Sequence, residues 1–184
     1  MPLLPFPHIP APDTEGPVAR SMMLLLHTFH WRLWNEVKDM TPEQVDWRPV
    51  ADGDSIGMIL DHLIAAEAGL IEIVFHGKAV ADVVPNNNGK LGTHLHRWGR
   101  ESCLRAGCEA DIYLSDLLAL FERSMALVAS LSDEQLLQTR RHLWPGERIP
   151  MTEGIMHLAE HLSHHKGQIV YIAQMNGFPQ AQQQ

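Results

Sequence analysis

The chain has 184 residues, of which 45% are hydrophobic and 20% charged, a composition that suits one ordinary soluble domain with a sizeable core. Its formal net charge of −8 disfavours binding to nucleic acids or anionic membranes, which attract basic surfaces. No hydrophobic run approaches the roughly 20 residues of a membrane span, and the proline-rich N-terminus has no basic start, so we expect a cytoplasmic protein that binds neither partner.

The first part of the chain predicts a leader, a long helix and a turn. Residues 1–16 are rich in proline and aperiodic, which indicates an irregular leader. From Pro17 to Val37, hydrophobic residues recur at spacings of three and four, as in a helix with one buried face. Thr41-Pro42-Glu43-Gln44 has the residues of a capping box and predicts the start of a short helical turn.

A second long helix is predicted after the capping residue Ser55, and it should end near His76 and Gly77. Its hydrophobic stripe runs from Ile56 to Ile73 with helical spacing. Residues 77 to about 100 contain three successive asparagines and several glycines, which predict a long connection.

The third and fourth long helices complete an all-α four-helix bundle over residues 17–179, with no sheet and a flexible tail at 180–184. The third is predicted from about Ser102 to Ser130, with core positions at Leu104, Ile112, Leu117, Phe121, Met125 and Val128. A second capping box begins at Ser132. The fourth helix is predicted to begin after Thr152 and to end at Asn176-Gly177.

Histidine is abundant, with 12 in the chain, and four of these lie between residues 157 and 165. At about 100° per residue, His165 lies inside the stripe of the fourth helix and His161 at its edge, whereas His157 and His164 lie outside it. Two histidines four residues apart can share a metal ion, and His62 occupies a similar edge position on the second helix. This pattern alone leaves open a second interpretation, in which these are packed or solvent-exposed histidines without a ligand.

Residues 40–67 and 157–179 resemble the DinB-like superfamily, the damage-inducible, YfiT-like four-helix proteins. In that family a histidine of the second helix and two histidines of the last helix hold zinc or nickel, and a basic residue, glycine and glutamine follow the last ligand. His165-Lys166-Gly167-Gln168 matches this ending, with lysine where arginine is more usual. The resemblance implies that the metal ligands are His62, His161 and His165. Three further histidines are candidates for contacts with these ligands: His157, His164 and His30. The alternative is that these three are solvent-exposed or packed without contacting the site.

Three imidazoles leave coordination positions open, as in catalytic rather than structural metal sites. The resemblance implies chemistry with a low-molecular-weight thiol such as mycothiol or bacillithiol, so we expect a thiol-dependent S-transferase acting on small electrophiles. One alternative is a metal–water hydrolase, although Glu160 points roughly 100° away from His161 and no catalytic residue is identified.

A second alternative is a non-catalytic, stress-induced metal-binding or dimerisation module. The resemblance also implies a homodimer, since bundles of this family often pair. Spare hydrophobic residues for such an interface are predicted at Leu24, Ile71 and Leu118.

Overall fold

A computed structural model describes residues 16–83, 105–141 and 148–178, so the predicted leader, the tail and most of the long connection lie outside the described ranges. Four long helices are present: α1 (Pro17–Val37), α3 (Ile56–Val74), α5 (Ala110–Ala129) and α7 (Met151–Met175). Within the described ranges, three short helices lie between them: α2 (Pro42–Asp46), α4 (Val80–Val83) and α6 (Asp133–Gln138). The predicted four-helix bundle is confirmed.

The bundle has one main hydrophobic core. Helix α1 packs against α5 and α7, and α3 packs against the same two helices. All four contribute fully buried side chains, among them Leu26, Leu63, Phe121 and Ile169. Burial of one such side chain stabilises the fold by about 1.5–3 kcal/mol, so the helical stripes determine which faces meet.

Helix ends follow the predicted local rules. In both capping boxes the hydroxyl of Thr41 or Ser132 accepts a backbone N–H three residues on, and the glutamine there accepts the N–H of the capping residue. Ser55 Oγ accepts the N–H of Met58 at 3.2 Å. Gly77 and Gly177 have φ angles of 69° and 65°, and glycine favours this left-handed conformation because it lacks a Cβ.

The third long helix begins later than predicted. Gly107 forms a turn with a φ of 77° and donates its N–H to Asp46 Oδ2, so α5 starts only at Ala110. In its first turn Ile112 is 47% exposed, which corrects its predicted core position, and Tyr113 and Leu114 are buried instead. Leu104 lies outside the described residues.

The start of the fourth long helix also differs from the prediction. Thr152 does not cap it, because α7 begins at Met151, whose N–H donates to the carbonyl of Thr139 at 3.0 Å. An unpredicted two-residue antiparallel ladder precedes the helix, formed by β1 (Arg140–Arg141) and β2 (Ile149–Pro150). Long-range backbone pairing, rather than a side-chain cap, therefore positions this helix start.

Of the hydrophobic residues predicted to be spare, Leu24 is 60% exposed, but Ile71 is fully buried in the core and Leu118 is half-buried against it. None of the described helices combines the length and hydrophobicity that crossing a bilayer requires.

The start of α1 is capped from a distance, since Asp133 accepts the N–H groups of Val18 and Ala19 at 3.1 and 3.0 Å.

Candidate metal centre

Three histidines converge between α3 and α7. His161 Nε2 lies 3.1 Å from His62 Nε2 and 3.1 Å from His165 Nε2. His62 and His165 are buried and His161 is half-buried. The structure thus brings together the three residues that the sequence suggested as a set.

The donor set and its spacing fit a divalent transition metal ion. An ion at about 2.0–2.1 Å from tetrahedrally arranged nitrogens would separate those nitrogens by about 3.3 Å, near the observed 3.1 Å. The group consists of imidazoles alone, without carboxylate or thiolate. Imidazole suits zinc and nickel, and three such donors leave part of a coordination sphere open.

The electrostatics favour neutral imidazole at the centre of the cluster. Burial lowers the pKa of His161 to about 2, and the charges of His165 and His62 act in the same direction. His161 Nδ1 is buried and has no hydrogen-bond partner among the described residues. His161 is therefore neutral at physiological pH and has a ring nitrogen with a lone pair for an ion.

Gln168 contacts the cluster from the next turn of α7. Its Oε1 lies 2.8 Å from His165 Nδ1, and its Nε2 lies 3.3 Å from His164 Nε2. Lys166 instead pairs with Glu36 of α1 at 2.9 Å and so ties α7 to α1. Both residues belong to the ending of the sequence motif, but the motif does not show which way their side chains point.

The histidines expected around the ligands have different surroundings. The ring of His164 lies edge-on to His165, with centroids 4.9 Å apart, and the ring of His157 lies 6.3 Å from that of His161. His157 Nδ1 also lies 3.7 Å from the carboxylate of Glu160, whose side chain is 80% exposed. Glu160 therefore does not turn towards the cluster.

His30 is engaged elsewhere, in a buried network that the sequence analysis missed. Its Nδ1 lies 2.8 Å from the carbonyl of Leu26, and its Nε2 lies 2.9 Å from Glu67 Oε2. The hydroxyl of Ser124 donates to Glu67 Oε1 at 3.0 Å. A glutamate at a stripe position of α3, four residues after Leu63, was the available sign of this buried carboxylate.

A cavity of about 390 Å³, a usual size for small-molecule pockets, opens at the surface next to α7, and the three converging histidines do not line it. Helix α7 contributes His164, Gln168 and Ile172 to its wall, and Ile59 of α3 faces them. The segment before α3 adds Pro49 and Asp54. The cavity therefore shares residues with the surroundings of His165.

Three solved structures share the fold of this chain at low sequence identity. A DinB-like protein from Bacillus cereus has a TM-score of 0.60 and 13% identity, covering 88% of this chain and 92% of its own. YfiT from Bacillus subtilis, described as a probable metal-dependent hydrolase with an unusual four-helix bundle topology, has a TM-score of 0.61 and 18% identity, covering 88% and 89%. The colibactin self-resistance protein ClbS, solved with dsDNA, has a TM-score of 0.64 and 15% identity, covering 84% and 94%.

Because each identity is below 25%, these likenesses show a shared fold and nothing more. Among proteins with curated descriptions, none matches this sequence. The family model of the DinB superfamily matches residues 26–169, which include all four long helices in whole or in part and the three converging histidines. The chain belongs to the DinB superfamily.

Proposed function

We propose that this protein binds one divalent transition metal ion, zinc or nickel, through His62, His161 and His165. The convergence of three Nε2 atoms, with His161 Nε2 3.1 Å from each of the others, carries the proposal. The low pKa of His161 adds to it, because a neutral imidazole can donate its lone pair to an ion. The alternative, three packed histidines, would leave these nitrogens facing one another without a shared cation.

The proposed activity is that of a thiol-dependent S-transferase acting on small electrophiles. A divalent ion with open positions supplies a Lewis acid that lowers the pKa of a thiol or water placed on it. The chain brings three imidazole nitrogens together, and the cavity lined by His164 and Gln168 has room for a small substrate. A low-molecular-weight thiol is the proposed nucleophile because the family resemblance implies one, and among the described residues the histidine group includes no carboxylate that could serve as a base for water.

A hydrolase is the second candidate, and the description of YfiT as a probable metal-dependent hydrolase favours it. A hydrolase of this type needs water on the ion and benefits from a nearby base. Glu160, the glutamate adjacent to a proposed ligand in sequence, is exposed and pairs with His157. A stress-induced module whose metal only braces the bundle is the third candidate.

Cobalt substitution separates the three candidates. The full chain is loaded with Co²⁺ and titrated with mycothiol, bacillithiol and 2-mercaptoethanol while the absorption spectrum is recorded. A transferase develops a sulfur-to-cobalt charge-transfer band, and the His165→Ala variant does not. A hydrolase shows no such band but hydrolyses a panel of ester and amide substrates when loaded. A bracing site shows neither response, while metal still raises the melting temperature.

We also propose that the protein forms a homodimer. Leu24 and Trp31 are 60% and 41% exposed, and they lie two turns apart on the outer face of α1. Sedimentation velocity at micromolar concentration should give a dimer, and Leu24→Glu should shift it towards monomer. A monomer for the unsubstituted chain contradicts this proposal.

The expectation that the chain binds no nucleic acid rests on its net charge of −8 and stays a prediction, as does its cytoplasmic location. ClbS, which shares the fold at 15% identity, was solved with dsDNA. Fluorescence anisotropy of a short labelled duplex at low salt tests the prediction directly. Binding that weakens steeply with added salt would contradict it.

A further inference from the structure

Gln168 has two contacts that together define the protonation pattern around His165. An amide oxygen only accepts, so the 2.8 Å contact from Gln168 Oε1 to His165 Nδ1 requires a proton on Nδ1. The amide nitrogen only donates, so His164 Nε2, at 3.3 Å, accepts from it. Reversing the amide would require the opposite tautomers on both histidines, so the side chain of Gln168 and the tautomer of His165 are linked.

A proton on Nδ1 of neutral His165 leaves its Nε2 with a lone pair. This Nε2 is the atom that lies 3.1 Å from His161 Nε2, inside the cluster. The other tautomer would direct an N–H into the cluster and would remove one of the three donors.

We propose that Gln168 is a positioning residue that selects the Nδ1–H tautomer of His165 and thereby makes its Nε2 available to the metal ion; this inference rests on the proposed function of the site. Hydrogen bonds to the far nitrogen of a ligating histidine orient the ring and tune its basicity. Gln168 also lines the cavity of about 390 Å³, together with His164 and Ile172. A molecule bound in that cavity would therefore meet the side chain of Gln168.

The test compares Gln168→Leu, which removes the acceptor, with Gln168→Glu, which keeps an oxygen acceptor beside Nδ1. Gln174→Leu, at an exposed position of the same helix, is the matched control. Two measurements are made on the full chain. Nitrogen-15 NMR of the histidine side chains reports the tautomer of His165 in the metal-free protein, and competition with a chelator gives the Co²⁺ affinity.

We expect Gln168→Leu to shift His165 towards the Nε2–H tautomer and to weaken Co²⁺ binding about 10- to 100-fold. Gln168→Glu should retain the Nδ1–H tautomer, and Gln174→Leu should match the unsubstituted chain in both measurements. An unchanged tautomer and affinity in Gln168→Leu would overturn the role of Gln168. Failure of the unsubstituted chain to bind Co²⁺ would instead overturn the proposed function, so the two failures are distinguishable.

Discussion

Replacing His30 with leucine should destabilise the bundle strongly, because it leaves Glu67 buried without its partner. His30 is 3% exposed, and Glu67 and Ser124 are fully buried. Both ring nitrogens of His30 face oxygen acceptors, an arrangement that favours the doubly protonated, cationic ring. Burial by itself lowers the pKa of His30, but the charge of Glu67 and the hydrogen bonds that Glu67 and the carbonyl of Leu26 accept from the ring raise it above the ordinary value.

The expected loss follows from the charge that remains. Breaking a buried ion pair on one side costs about 3–5 kcal/mol, whereas replacing both partners with hydrophobic residues is often neutral or stabilising. The double variant His30→Leu with Glu67→Leu should therefore be more stable than His30→Leu by at least about 2 kcal/mol. From this gain about 1 kcal/mol is subtracted, because the hydroxyl of Ser124 loses its hydrogen-bond partner. Urea denaturation of the metal-free chain, followed by circular dichroism, measures each value.

The pair should also make stability depend on pH. The pKa of His30 is higher in the folded state than in the unfolded state, so its contribution is fully present below the unfolded value of about 6.5. That contribution is lost as the pH rises through the folded pKa. The unsubstituted chain should therefore lose stability relative to the double variant on alkalinisation.

Exposed His76, near the end of α3, is the matched control, and its replacement by leucine should change stability by no more than about 0.5 kcal/mol. Two results would refute the reasoning. One is a loss below about 1 kcal/mol for the His30 variant. The other is a double variant no more stable than the single one.

Three further predictions follow from the cluster and the helix packing. His165→Ala should abolish stoichiometric metal binding by elemental analysis while His164→Ala retains it, and the opposite pattern would show that the register of the motif is wrong. Bound metal lowers the apparent pKa of its histidine ligands, so the stability it adds is present above about pH 6.5 and lost as pH falls. Melts between pH 7 and 5 should show a greater loss for the loaded than for the metal-free protein, and identical profiles would mean that no histidine-bound metal contributes to folding. Gly154→Ala places a Cβ 2.7 Å from Val74 Cγ2 and should destabilise the fold by about 1–3 kcal/mol. The added Cβ of Gly167→Ala has no neighbouring side chain within 4 Å, so this variant should be more stable by up to about 1 kcal/mol. Equal chemical-denaturation midpoints for the two variants would contradict the close packing.

Local patterns were enough for most of the helices and for the pairing of His161 with His165. The capping residues Thr41, Ser55 and Ser132 and the terminal glycines act within a few residues, so their effect is visible in the sequence. The four-residue spacing of His161 and His165 places them one turn apart on any helix. Selection of His62 required the family resemblance, because no local rule relates it to a helix almost 100 residues away.

Contacts between distant segments decided the rest. Nothing near Asp133 in the sequence indicates that it caps α1, more than 110 residues away. The pairing of His30 with Glu67, the burial of Ile71 and the exposure of Ile112 likewise depend on which neighbouring helix covers each position. Periodicity indicates that a helix has a buried face. Only the packed bundle determines how far that face extends and which polar groups meet inside it, because burial and hydrogen bonding depend on neighbours that folding brings together.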